Sequence, residues 1–181
     1  PRDLWVQIPG YASNRINTVD ALGERAAHPG GGRALLDETL RLNLGVPVHH
    51  YVRIDFAGFV RIVDAMGGIT VDVPAPLRDW FPDLKAPLGR RYFTMAAGAR
   101  QMDGRTALAY CRSRMTTSDF DRSSRQQQVL LALWQKALTL DTLMQVPVLW
   151  KEFQDSVSTD LSTKQLLQLA YFAHALGPEQ V

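Results

Sequence analysis

The stretch Arg112–Gln128 reads Arg-Ser-Arg-Met-Thr-Thr-Ser-Asp-Phe-Asp-Arg-Ser-Ser-Arg-Gln-Gln-Gln and carries four arginines, two aspartates and no lysine. Arg112 and Arg114 are two apart, so an extended backbone there sends both guanidinia from one face. Arg122 and Gln126 are four apart on what reads as the opening of a long helix, Asp119 to about Leu138, and so share a helical face. Two pairs of donors can therefore converge. An arginine fork donates two parallel hydrogen bonds and stays charged at any physiological pH, which suits it to phosphate oxygens. A helix N-terminus adds unpaired N–H groups and partial positive charge. The chemistry these residues suit is the binding of a phosphate or pyrophosphate. The plainer alternative is a solvated helical face whose arginines pair with Asp119 and Asp121.

The rest of the composition narrows the setting. A chain of 181 residues suits one domain, 1–181, with a sizeable core, and 46% hydrophobic with 21% charged residues is ordinary for a globular protein. The net charge of +2 gives no global argument for nucleic acid. Basicity is local and carried by arginine, with Lys85, Lys136, Lys151 and Lys164 the only lysines. The single cysteine, Cys111, excludes an internal disulfide and a cysteine zinc cluster, and in Ala-Leu-Ala-Tyr-Cys it reads as a small buried apolar group rather than a nucleophile. No apolar run approaches the ~20 residues of a membrane span.

The elements that must position the arginines follow from periodicity. Leu4 to Ile8 alternates as a strand and stops at Pro9-Gly10. Gly30-Gly-Gly32 reads as a hinge, because no Gly-Lys-Ser/Thr of a phosphate-cradling loop follows it. Ala34 to Leu44 has the spacing of an amphipathic helix ended by Gly45. Val48 to Asp55 reads as a strand, which points His49 and His50 to opposite faces and argues against a shared metal. Phe56 to Met66 is a second helix, its Phe56, Phe59, Val60 and Val63 face expected in the core, and Ile69 to Val73 a short strand. Strand, helix, glycine stop and strand predict an α/β fold, a mixed central sheet flanked by helices on both faces. Pro74 to Ala97, rich in proline and aromatics, is too long for an ordinary connector and is expected to be a lid over a substrate entrance. A short helix, Gly104 to Cys111, delivers Arg112. Ser162-Thr-Lys-Gln165 has the form of a capping box opening a last helix, Lys164 to Leu176.

The run Gln101-Met-Asp-Gly-Arg-Thr-Ala-Leu-Ala-Tyr-Cys-Arg-Ser-Arg followed by Asp119-Phe-Asp-Arg-Ser-Ser-Arg-Gln-Gln resembles the signature of the LytR-CpsA-Psr family. Pro1-Arg-Asp-Leu, Asn14-Arg-Ile-Asn17, Tyr51-Val-Arg-Ile-Asp-Phe-Ala-Gly-Phe, Val63-Asp-Ala-Met-Gly-Gly-Ile-Thr-Val and Thr159-Asp-Leu-Ser fit the same pattern in order. The resemblance implies an extracytoplasmic enzyme of the cell envelope that transfers a glycopolymer from a polyprenyl-pyrophosphate carrier to a peptidoglycan hydroxyl. It implies that Arg2, Arg112, Arg114, Arg122 and Gln126 hold the pyrophosphate, and that part of the Phe56, Phe59, Val60 and Val63 face, whose period fits a core or a pocket wall alike, lines a hydrophobic pocket for the polyprenyl chain. Arg125 has the right charge but lies one position off that face. Asp3 and Asp119 are the acids expected to orient an arginine or assist proton transfer, Asp119 serving equally well as a helix N-cap. Magnesium is the expected cofactor, with no ligand assigned in this chain. The family's membrane anchor, first strands and Arg-x-Asp-Thr segment are expected upstream of Pro1, so the sequence reads as a fragment. A pyrophosphate hydrolase or a non-catalytic prenyl-phosphate binder would use the same ligands; a nucleic-acid-binding attenuator is opposed by the near-neutral charge.

Overall fold

The computed structural model describes residues 3–82, 87, 89–113, 119–137 and 146–176, with the backbone alone at 119–120, 146–149, 167, 170 and 173–176. The chain folds as two compact units, Pro1–Tyr51 and Val52–Val181. The class is mixed α/β, as the sequence predicts.

In the first unit, β1 (Trp5–Val6) pairs antiparallel with β2 (Asn14–Arg15) around the Pro9-Gly10 turn, where Gly10 has φ 74°. A 3-10 turn (Ile16–Thr18) leads into α1 (Val19–Arg25), and α2 (Gly31–Leu44) packs against it. Val6, Ile8, Val19 and Leu35 form the core of this unit. The glycine triplet is a packing device rather than a hinge. Gly30 and Gly31 take positive φ at the helix entry, and a Cβ on Gly32 would stand 2.0 Å from the Asp20 carbonyl oxygen, so only glycine lets the two helices approach. The amide of Asn43 accepts from Gln7 N at 2.9 Å and donates to Gln7 O at 2.8 Å, tying α2 to the end of β1.

The second unit holds β3 (Val52–Ile54), α3 (Phe56–Ala65), β4 (Ile69–Val73), β5 (Leu77–Pro82), β6 (Arg90–Met95), β7 (Gly98–Met102), α4 (Gly104–Arg112), α5 (Asp119–Ala137), α6 (Val146–Ser156), β8 (Val157–Thr159) and α7 (Thr163–Leu176). Its described strands pair in antiparallel ladders: β3 with β8, β4 with β7, and β5 with β6. Ile69, Val71 and Val73 point inward from β4 while Thr70 and Asp72 are exposed, the period of a half-buried strand. They meet Val63 of α3, Met102 of β7, Ala107 and Tyr110 of α4, and Val129 and Ala132 of α5 in one core. Each aliphatic side chain buried this way stabilises the fold by about 1.5–3 kcal/mol.

Two expectations are corrected here. Within the proline- and aromatic-rich stretch, expected to be a long loop, Leu77–Pro82 and Arg90–Met95 form an antiparallel ribbon, β5 and β6, in register from Leu77↔Met95 to Pro82↔Arg90, with side chains that alternate between a buried and an exposed face. The strand expected over Val48 to Asp55 is confined to Val52–Ile54, all three exposed. The capping box stands as read: Ser162 N donates to Gln165 Oε1 at 2.9 Å, and Gln165 N donates to Ser162 Oγ at 3.3 Å.

The junction that aims α4 is tight. Asp103 caps it by accepting from Thr106 N at 2.8 Å, and Asp64 of α3 accepts from Gly104 N at 2.7 Å. A Cβ at Gly104 would lie 2.3 Å from the Val60 carbonyl oxygen, which is rigid helix backbone. Gly104→Ala is therefore expected to destabilise the second unit by about 1–3 kcal/mol; an unchanged midpoint in urea denaturation would show that α3 and α4 can separate without cost.

Candidate active site

The arginines gather at the carboxyl end of α4. That end exposes carbonyl oxygens that no helical N–H satisfies, and its backbone dipole leaves partial negative charge there. α5 covers it with donors. Arg125, 4% exposed, donates from Nε to the Tyr110 carbonyl at 3.2 Å and from Nη2 to the Ser113 carbonyl, with its guanidinium carbon 5.9 Å from the Tyr110 ring centroid. Gln126 Nε2 donates to the Cys111 carbonyl at 3.5 Å. The Tyr110 hydroxyl in turn donates to Gln128 Oε1 at 2.7 Å. Tyr110, Cys111 and the capping Ser113 are thus held by three residues of α5, Arg125, Gln126 and Gln128, and Arg112 lies between the Cys111 and Ser113 that are gripped.

Arg112 itself points the other way. It is exposed, and its guanidinium carbon lies 4.6 Å from the Phe56 ring centroid and 5.8 Å from that of Phe81. Phe56, expected in the core as part of the α3 face, is 59% exposed because it is the first residue of that helix and offers its ring to this cation. Stacking on aromatic faces leaves the N–H edge of a guanidinium available for in-plane hydrogen bonds to an anion. Arg122 is 8% exposed, one turn of α5 before Gln126. Sequence reasoning did not single out the two phenylalanines as part of this site. The signal for Phe56 was its position directly after Asp55, whose carboxylate accepts from Gly58 N at 2.6 Å and starts the helix there.

Arg112 ends α4, and Arg122, Arg125 and Gln126 lie on α5, of which Arg125 and Gln126 reach the carbonyls at the end of α4. Arg125 differs in kind from Arg112, since its fork is already occupied by backbone carbonyls. Arg114 and Arg2 lie outside the described residues. Asp119 opens α5, and its side chain lies outside them too. Asp3 belongs to the first unit, where its carboxylate is 3.9 Å from Arg15 Nη1.

Burial raises the Cys111 thiol to about 11, which is the opposite of what a nucleophile needs and agrees with an apolar packing role. Burial likewise raises the Tyr110 phenol. Hydrogen bonds from Thr106 hold the Asp103 carboxylate below its ordinary value. No group of three or more His, Cys, Asp or Glu side chains is placed to hold a metal among the described residues. The described part of the site is a set of cationic and amide donors, which fits an anion and does not fit a bare divalent cation.

The family profile LytR_cpsA_psr matches residues 1–181. The chain belongs to the LytR-CpsA-Psr family. It is 32% identical over 145 residues to a protein of Corynebacterium glutamicum named "Probable cell wall biosynthesis protein LcpB", covering 80% of this chain and 31% of that protein. It is 29% identical over 172 residues to a protein of Enterococcus faecalis named "Polyisoprenyl-teichoic acid--peptidoglycan teichoic acid transferase TagU", covering 93% of this chain and 50% of that one. The crystal structure of B. subtilis TagV superposes with a TM-score of 0.75 at 27% identity, over 100% of this chain and 66% of that one. The chain thus spans half or less of the length of these two sequence relatives.

Two measurements check the site's anatomy. Arg125→Ala leaves the α4 carbonyls buried without donors, so it is expected to cost about 1–3 kcal/mol in urea denaturation, whereas Arg112→Ala costs little; equal costs would mean that the two arginines are alike. Cys111 is expected to resist alkylation near neutral pH and to react faster as pH approaches about 11. Because folding raises this acid's pKa from 9.0, the neutral thiol's contribution to stability is full below 9.0 and fades as pH climbs through about 11. Prompt modification of the folded chain at neutral pH would contradict the burial.

Proposed function

We propose that this chain is the core of a phosphotransferase that moves a glycopolymer from a polyprenyl-pyrophosphate carrier onto a peptidoglycan hydroxyl at the outer face of the cell membrane. The observation that carries the reading is Arg112, exposed at the braced end of α4 with its guanidinium over Phe56 and Phe81. Membership in the LytR-CpsA-Psr family and likeness to TagU, whose name gives such a transfer, support it.

In this reading Arg112, Arg114 and Arg122, with Gln126, hold the pyrophosphate, and Arg2 stays a candidate ligand by its sequence motif alone. A sugar hydroxyl attacks the phosphorus attached to the glycan. A new P–O bond forms to the acceptor, the bond to the distal phosphate breaks, and polyprenyl phosphate leaves. The hydroxyl proton passes to a carboxylate, for which Asp119 is our candidate, and Asp3 is assigned to orient Arg2. Such a transfer depends on positioning and on offsetting charge that builds on the phosphoryl oxygens, which fixed guanidinia do without reorganising. Arg125 acts as a brace for Arg112. Magnesium enters this proposal as an ion brought by the substrate's own phosphates, since the described residues offer no carboxylate set for it. No described helix is long and apolar enough to cross a membrane. The net charge of +2 disfavours a nucleic-acid role.

Transfer by the full-length protein, supplied with a lipid-pyrophosphate-linked glycan and peptidoglycan, is expected to fall roughly 10²–10³-fold in Arg112→Ala with circular dichroism unchanged. Undiminished transfer would remove Arg112 from the site. In ¹⁸O-labelled water the product phosphate should stay unlabelled; incorporation of the label would replace the ligase by a hydrolase.

A further inference from the structure

The β5–β6 ribbon has two unlike faces. Leu77, Asp79 and Phe93 on one side are buried, and Phe81 on that side approaches Arg112. The opposite side presents three cross-strand pairs, Arg78↔Thr94, Trp80↔Tyr92 and Pro82↔Arg90, and all six residues are exposed. Trp80 and Tyr92 lie with ring centroids 4.7 Å apart, and the Arg90 guanidinium carbon sits 5.1 Å from the Trp80 ring centroid. None of these six residues is acidic. The ring pair stabilises the ribbon across its strands, yet both rings stay exposed between two arginines, a combination of apolar surface and positive charge that suits a partner.

We propose that this outer face of the ribbon docks on the surface of an anionic lipid bilayer. Arg78 and Arg90 are the matching charge for phosphodiester headgroups, and Trp80 and Tyr92 are the two side chains whose apolar rings and polar edges suit the headgroup boundary. A neutral sugar chain fits worse, because it needs acceptors as well as donors around the rings, and among these six side chains only the Thr94 and Tyr92 hydroxyls can accept. A hydrated polyphosphate would use the arginines but gain nothing from the paired rings. A bilayer rewards both, since apolar matter lies directly beneath its phosphates. The inference stands apart from the transferase reading and makes no use of turnover. Because Phe81 on the ribbon's inner side touches Arg112, a docked ribbon would also keep the site next to the bilayer.

The test uses this 181-residue chain with vesicles of phosphatidylglycerol and phosphatidylcholine against vesicles of phosphatidylcholine alone, read by co-sedimentation. Binding is expected only with the anionic vesicles. It should weaken roughly ten-fold or more in Arg78→Gln/Arg90→Gln, with thermal melting used to confirm that the variant is folded. Brominated lipid should quench tryptophan fluorescence of the native chain, and Trp80→Phe should lose most of that quenching. Equal binding by the charge variant, quenching that survives Trp80→Phe, or retention by soluble polyphosphate but not by vesicles would each overturn the proposal.

Discussion

The buried guanidinium of Arg125 is the contact on which the site depends. A helix that ends inside a protein leaves carbonyl oxygens in a medium where each lost hydrogen bond is expensive, and at the end of α4 the sequence has no glycine to close them locally. α5 supplies the missing donors from Arg125 and Gln126. A positive charge is well suited to the task, because it meets the negative end of the α4 dipole as well as two oxygens. The consequence reaches Arg112. Its backbone lies between the Cys111 and Ser113 carbonyls that α5 grips, so its direction is set before any ligand arrives.

A second constraint acts at the other end of α4. Asp103 and Asp64 cap its first turn, and the bare Cα of Gly104 lets it sit against the Val60 backbone. With both termini pinned, α4 works as a rigid arm whose tip carries the cation. Phe56 and Phe81 then choose which way the guanidinium faces. They come from α3 and β5, so three elements converge on one side chain. Among the described residues the groups beside the Arg112 guanidinium are aromatic rings, which leave its N–H edge able to receive an anion.

Much of this was legible in the sequence. The spacing Arg122–Gln126 gave a shared face on α5, the run ending in Cys111 gave the short helix that carries Arg112, and Ser162-Thr-Lys-Gln165 gave the cap of α7, because each rests on interactions within one or two turns. What failed rests on partners distant in sequence. Phe56 reads as core by helical period, and only the approach of Arg112 from the end of another helix explains its exposure. Arg125 reads as a ligand by charge, and its true contacts are backbone carbonyls that no side-chain pattern announces. The glycine triplet reads as a hinge until Asp20 O is seen against Gly32.

The ribbon shows the same limit from the opposite direction. Its prolines and dense aromatics suggest a loop, and although burial alternates along Leu77-Arg78-Asp79-Trp80, the residue types do not, since Asp79 faces in and Trp80 out. Proline misleads here only if its position is ignored: Pro82 ends its strand and faces outward, where the lack of an N–H costs least. Once the register is fixed, the apolar residues sort themselves into two sets with different physical reasons. Leu77 and Phe93 are buried because the core needs them. Trp80 and Tyr92 pair on the exposed side between Arg78 and Arg90, where they brace the ribbon across its strands and still leave an aromatic and cationic face open to solvent.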